Sequence, residues 1–196
     1  MGRGYEISGP RQVEALASPV RQEIVDAVQA SGPCSAGQLA ELLGRTQDGL
    51  YYHLRVLTRV GLLCEKGTRA TRRRDERVYD VPGRPLKLRY EPGRASARGR
   101  VTRVASSMLR LAQRSFARGL ADGGARVRGP DRNVWAARAK AWLTHAEVVR
   151  VNELLEEVMA VSRLGRRPGA SLHSITFVLA PERVVGRRRA SKGGRS

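Results

Sequence analysis

The sequence has few residues of several kinds, and each shortage counts against a class of protein. Its two cysteines, Cys34 and Cys64, lack the Cys-x-x-Cys spacing of redox and zinc sites. We therefore expect no disulfide framework and a reducing, cytoplasmic compartment. Uncharged apolar runs stay well short of the ~18 residues that a membrane span requires. The opening "MGRGYEISGP" lacks the apolar centre of a signal peptide. A membrane protein or a disulfide-stapled secreted protein is not expected.

The chain also lacks the residue arrangements that enzymes use. Its three histidines, His53, His145 and His173, have no acid or nucleophile beside them in a recognisable arrangement, and no glycine-rich phosphate loop occurs. The motif "HAE" at 145–147 has part of a deaminase zinc signature, but no Pro-Cys-x-x-Cys follows. A helix capping box explains its glutamate better. We therefore predict no catalytic activity, no cofactor and no bound metal.

Lysine is scarce as well, yet the chain is strongly basic. Arginine makes up 33 of the 37 basic residues, and the net charge is +19. An excess of this size indicates an anionic partner, either nucleic acid or an acidic surface. The distribution of charge along the chain is more informative than the total charge, because residues 1–65 carry a net charge of −1 whereas residues 66–103 carry +9. The positive charge thus begins abruptly after the opening stretch.

Apolar residues at helical spacing predict that the chain opens with helices. One helix begins near Val13 and breaks at "ASPV", after which Ser18 is an N-cap and Pro19 the first helical residue. The stretch "SAGQ" at 35–38 is a capping box that starts the next helix, and Gly44 stops it. The buried stripe of that helix is predicted at Leu39, Leu42 and Leu43.

The following helix begins after Thr46, which caps it, with Asp48 in its first turn beside the positive helix end. Its buried stripe is predicted at Leu50, Leu54 and Leu57. Tyr51 and Tyr52 lie off this stripe, so each either faces a partner or covers the hydrophobic seam between helices. His53 lies next to the stripe and is expected to be partly buried and hydrogen-bonded.

A β-hairpin with a basic tip is predicted from residue 62 to 81, and helices and strands alternate beyond it. The helix at 101–120 has apolar residues at a/d-like spacing, which form a dimer interface, pack within the chain, or do both on different faces. Trp135 and Trp142 either line a ligand pocket or belong to the core. The other elements are predicted as a weak strand at 135–143, a helix opened by a capping box at 144–147 with an apolar stripe at 148–159, and a strand at 171–181.

The order of helices and hairpin from Leu16 to Val81 resembles the winged helix-turn-helix of the ArsR-like transcription regulators. The resemblance is carried by "LASPVRQEIVDAV", "SAGQLAELLGRTQDGLYYHLRVLTRVGLL" and "VYDV", about a third of the chain. It implies that the helix after Thr46 lies in the DNA major groove and that the hairpin arginines contact phosphates or the minor groove. The implied DNA-binding residues are Thr46, Gln47, Asp48, Tyr51, Tyr52, Arg55, Arg69, Arg72, Arg73 and Arg74.

The predicted fold is therefore α+β and mainly helical. It has a winged helix-turn-helix domain at 11–82, a basic linker at 83–100, a C-terminal helix and strand segment at 101–181 for dimerisation and sensing, and a basic disordered tail at 182–196. The resemblance implies a sequence-specific regulator that binds double-stranded DNA as a homodimer, with a small-molecule effector left open. The ligand patterns of metal-sensing members are not visible. The alternative is a winged-helix module for protein contacts, because the helix after Thr46 is not strongly basic.

Overall fold

Helices and short strands alternate along the first half of the chain, and two longer helices follow. The computed structural model describes residues 4–70, 75–90 and 93–182. The helices are α1 Pro10–Leu16, α2 Pro19–Ser31, α3 Ala36–Leu43, α4 Gln47–Arg59, α5 Ala95–Ala121 and α6 His145–Ser162. The strands are β1 Tyr5–Ile7, β2 Cys34–Ser35, β3 Cys64–Arg69, β4 Glu76–Asp80 and β5 Leu86–Leu88. The predicted α+β, mainly helical class is confirmed.

Local sequence signals determine where the first helices begin. The helix expected near Val13 begins earlier, at Pro10, because proline already has the backbone angle of a first helical residue. α2 begins at Pro19 after Ser18, as predicted, although the Ser18 hydroxyl makes no capping hydrogen bond. Both helices therefore begin at a proline, and at α1 the Gly9 N–H also donates to Gln12 Oε1 over 3.1 Å.

α3 has the capping box that the sequence predicts. The backbone N–H of Gln38 donates to Ser35 Oγ over 3.3 Å, and the Ser35 N–H donates to Gln38 Oε1 over 3.0 Å. The helix stops at Gly44, whose φ of 61° lies in the left-handed region that favours glycine. Both ends of this short helix are thus encoded locally.

The core lies where α1, α2, α3 and α4 meet. Leu50, Leu54 and Leu57 are wholly buried, as predicted, and so is Leu39 of α3. Leu42 was predicted in the same stripe as Leu39, but 40% of it is exposed. Three residues advance the helix by about 300°, so Leu42 lies about 60° away from Leu39, at the edge of the buried face.

Two small sheets complete the first half. β3 and β4 form the predicted antiparallel hairpin, which we call the wing, and β2 adds a third strand beside β4 by pairing Cys34 with Tyr79. β1 pairs in parallel with β5, so that Tyr5 lies opposite Leu86. The segment 83–100, predicted as a linker, therefore contains β5 and the beginning of α5.

α5 packs along α1 and α2 of its own chain. Val104, Ser107 and Leu111 are buried, and Val101 and Met108 are partly buried against the same core. The a/d-like stripe that the sequence shows in this helix therefore faces the core of the chain itself. A dimer interface on α5 would have to use another face.

The chain beyond α5 has no core of its own. None of the described residues from 121 to 182 is buried. α6 begins with the predicted capping box, in which the Glu147 N–H donates to Thr144 Oγ1 over 3.3 Å and the Thr144 N–H donates to the Glu147 carboxylate over 2.7 Å. Trp135 and Trp142 are 67% and 88% exposed, so neither belongs to a core.

The strands predicted at 135–143 and 171–181 are wrong, because both segments lack regular secondary structure. Their apolar alternation suits a strand, but a strand also needs a neighbour that satisfies its backbone N–H and C=O groups. Residues 183–196 of the predicted basic tail lie outside the described residues. In the described ranges, no helix is both long enough and apolar enough to cross a membrane.

Candidate nucleic-acid interface

α4 presents one face to solvent because its opposite face is fixed in the core. Leu50, Leu54 and Leu57 anchor the helix. The exposed face contains Asp48, Tyr52, Arg55 and Arg59, spaced at i, i+4, i+7 and i+11, and we call it the α4 face. The predicted site residues Asp48, Tyr52 and Arg55 thus lie together. Arg59 was missed, although its spacing of four from Arg55 marks it as a neighbour on the same face.

Ion pairs join the turn before α4 to α2, and α2 to α5. Arg45 of the turn donates to the Glu23 carboxylate of α2 over 2.7 Å, and Arg118 of α5 lies 3.5 Å from the other oxygen of Glu23. The Glu23 side chain is only 13% exposed, so the pair with Arg45 is partly shielded from water. Thr46 follows as the N-cap residue, exposed and without a side-chain cap hydrogen bond. These contacts fix the angle at which α4 leaves the turn.

Gln47 and Tyr51 do not lie on the α4 face but point towards the wing. Gln47 Nε2 donates to Tyr51 Oη over 2.8 Å and to Glu76 Oε1 over 3.0 Å. Tyr51 is half-buried against the core, so its ring covers the seam between the helices. Glu76 of β4 was not expected in the site, since no local pattern joins it to a helix 29 positions earlier.

His53 contributes no positive charge to this surface. Burial, followed by the nearby charges of Arg21 and Arg45, lowers the pKa of the imidazole below its ordinary value. Its ring meets Tyr52 edge to face, with centroids 5.4 Å apart. The histidine was expected to be partly buried and hydrogen-bonded. It is half-buried, but within the described part of the chain its Nδ1 has no hydrogen-bond partner.

The wing lies beside α4 and encloses a groove with it. The groove has a volume of about 750 Å³. Three arginines and three carboxylates line it, namely Arg55, Arg59 and Arg77 with Glu65, Asp75 and Glu76. Arg69 lies exposed at the end of β3, whereas Arg72, Arg73 and Arg74 lie outside the described residues. The described part of the groove is therefore close to neutral.

The cysteines and acids of the described residues do not suggest a metal centre. Cys34 is buried, and Cys64 is half-buried with its thiol directed at the carbonyl oxygen of Asp80 over 3.4 Å. Burial raises the pKa of the Cys34 thiol, which disfavours the thiolate that binds metals. Across residues 4–70, 75–90 and 93–182, no group of three His, Cys, Asp or Glu side chains could hold a metal ion.

Helices α2, α3 and α4 with the wing after them define a winged helix-turn-helix domain. Residues 16–63 match the family model described as "Helix-turn-helix domain", which is about a quarter of the chain. A crystal structure of a transcriptional regulator matches with 14% sequence identity over 74% of this chain and 78% of that one. Its TM-score is 0.29, too low to carry an argument about fold or function. No curated protein matches the sequence.

Proposed function

We propose that the chain is a sequence-specific, DNA-binding transcription regulator of the ArsR-like type, acting in the cytoplasm. α4 would lie in the major groove, and the wing would contact the backbone or the minor groove. The observation that carries the proposal is the α4 face, an exposed stripe on a helix whose other side is fixed by three wholly buried leucines. An α-helix with side chains is about 10–12 Å wide and fits a major groove of about 12 Å.

The residues of the α4 face have the chemistry that base reading requires. Arg55 and Arg59 can donate pairs of hydrogen bonds to guanine, and Asp48 can accept one from cytosine. Tyr52, 62% exposed, can offer its hydroxyl to a phosphate or its ring to a thymine methyl group. Two copies would bind half-sites about 34 Å apart, one turn of the duplex.

The test is selection of bound fragments from genomic DNA, followed by affinity measurements on the selected site. Replacing Arg55 by alanine should weaken binding to that site by about 1–3 kcal/mol, or roughly 5- to 140-fold. Binding to unrelated DNA should change far less, because it depends mainly on phosphate contacts. Titration of labelled duplexes at fixed salt measures both quantities.

Arg138→Ala is the matched control, because it removes the same charge from an exposed residue far from α4 in the sequence. It should leave the ratio of specific to non-specific affinity unchanged. Equal losses in the two variants would mean that Arg55 contributes only general charge, and base reading by the α4 face would then be wrong.

A further prediction concerns Gln47. Both hydrogens of its amide are engaged, by Tyr51 and Glu76, which hold the side chain towards the wing and leave no N–H for a base. Glu76→Ala frees one N–H and should shift the preference at the contacted base pair towards adenine, by about 1 kcal/mol. Glu76→Gln can still accept from Gln47 and should keep the original preference. If both variants show the wild-type preference, Glu76 does not position Gln47.

The second candidate is a winged-helix module that binds another protein. It is supported by the described part of the groove, which is close to neutral because its three arginines are matched by three carboxylates. Such a module would bind genomic fragments without preference and lose that binding as salt is raised. Enrichment of a defined sequence in the fragment selection would exclude this candidate.

A further inference from the structure

The exposed apolar surface of the chain is concentrated outside the winged helix-turn-helix domain. On α6, Leu154, Val158 and Val161 are 45%, 40% and 65% exposed. Together with half-buried Val151 they repeat at intervals of three, four and three residues, which is the spacing of a helix-packing seam. In the described part of the chain, α6 makes no extensive contact with any other helix or strand. Exposed apolar side chains aligned on one face of a helix are a feature of interaction surfaces.

A second exposed stripe lies on the outer side of α5. Leu109, Phe116 and Leu120 are 54%, 37% and 48% exposed, and their spacing of seven and four places them on one face. The opposite face of the same helix contains buried Val104 and Leu111. α5 is thus held on its own domain by one side and offers the other side to a partner.

The two stripes have complementary charge. α5 contains six arginines and no acidic residue, whereas α6 contains four glutamates and one arginine. Arg110 and Arg114 lie within the span of the α5 stripe, and Glu153 and Glu157 lie within that of α6. Two α5 helices or two α6 helices would place like charges side by side. A pairing of α5 with α6 joins opposite charges along the apolar seam.

The connection between the two helices first folds back against α5, and α6 itself makes no extensive contact with its own α5. Hydrogen bonds of Arg126 to Asn133 Oδ1 (2.8 Å) and to the Asp131 carbonyl (2.9 Å) close a tight loop after α5. Val134 at the end of this loop lies next to Gly119, where an added Cβ would be 3.5 Å from Val134 Cγ2. Only residues 135–144 then bridge to α6, and they have no regular secondary structure.

We propose that α6 of one copy packs on the Leu109–Phe116–Leu120 stripe of α5 of a second copy, and that the second copy does the same in return. The same contact of α6 with α5 then occurs twice, and a two-fold axis relates the two occurrences. The assembly therefore closes as a dimer and does not grow into a longer chain of copies. This exchange rests on the proposed function, which includes a homodimer, and it specifies which surfaces of the two copies meet. It is independent of base reading, since neither helix contributes to the α4 face.

Two variants test the exchange. Leu109→Asp damages only the α5 stripe and Leu154→Asp only the α6 stripe, and both residues are exposed in the single chain, so each variant should fold. We expect sedimentation at micromolar concentration to show a dimer for the wild type. Each variant alone should be monomeric, with a dissociation constant raised at least tenfold. Leu42→Asp, at an exposed leucine of α3, should remain dimeric as the control.

Mixing the two variants gives the decisive result. A mixed pair has one interface with both damaged helices and one with two intact helices, so a heterodimer should form although neither variant dimerises alone. A mixture that stays monomeric, beside a dimeric wild type, would overturn the exchange in favour of α5–α5 or α6–α6 contacts. A monomeric wild type would also overturn the exchange. If the wild type is dimeric but prefers no DNA sequence, the proposed function is wrong and the exchange still stands.

Discussion

Replacing Leu54 by alanine should lower the free energy of unfolding by about 2–5 kcal/mol, the range for large-to-small changes in a well-packed core. Leu54 is wholly buried between two other buried leucines of α4, so the deletion leaves a cavity that its neighbours fill only in part. The effect is large beside the roughly 5–15 kcal/mol that holds a typical domain together. Urea unfolding followed by circular dichroism measures it.

Leu42→Ala is the matched control for this prediction. It removes the same atoms from a leucine that is 40% exposed, and it should lower the free energy of unfolding by well under half as much. Equal losses at the two positions would mean that α4 is not anchored in the core as the structure has it. The α4 face would then lack its fixed support.

The second large effect is expected at Arg84. Its guanidinium forms an ion pair with Asp80, whose side chain is 11% exposed, and donates to the carbonyl oxygens of Val28 (3.0 Å) and Gln29 (3.2 Å) near the end of α2. Arg84→Met should lower the free energy of unfolding by about 2–4 kcal/mol, because it leaves a buried carboxylate without its cation. The expected loss of stability is smaller than for a wholly buried ion pair, since the Arg84 side chain is 37% exposed.

Arg77→Met provides the comparison for Arg84. Arg77 also pairs with a carboxylate, that of Glu65 over 2.9 Å, but the two side chains are 67% and 43% exposed. A pair in water contributes about 0–1 kcal/mol, so this variant should unfold almost as the wild type does. A loss at Arg84 no larger than at Arg77 would show that the contact between α2 and β4 does not stabilise the domain.

Features encoded within a few residues could be predicted from the sequence. The capping boxes at Ser35 and Thr144 formed as expected, because each needs only a hydroxyl and a Glu or Gln three residues later. The buried leucines of α4 also followed from their spacing. On the α4 face, Tyr52 and Arg55 were placed correctly because they lie off the leucine stripe.

Features that depend on a distant partner could not be predicted. β2 has two residues and β5 has three, too few to show an alternating pattern, and each forms only because another strand lies beside it. The segments 135–143 and 171–181 show the opposite case, in which a suitable pattern finds no neighbouring strand. Glu76 joins the site through the fold of the wing, which brings it to Gln47 from far along the chain.

The pairing of β1 with β5 also orders events during synthesis. Tyr5 and Leu86 are about 80 positions apart, so the first sheet closes only after the ribosome has delivered β5. Ribosomes add roughly 5–20 residues per second, and α6 therefore emerges several seconds after β5. The apolar stripe of α6 then appears beside a domain whose core is already closed. We therefore expect the stripe to stay outside that core, since the buried hydrophobic residues that the structure describes all lie between Ile7 and Leu111.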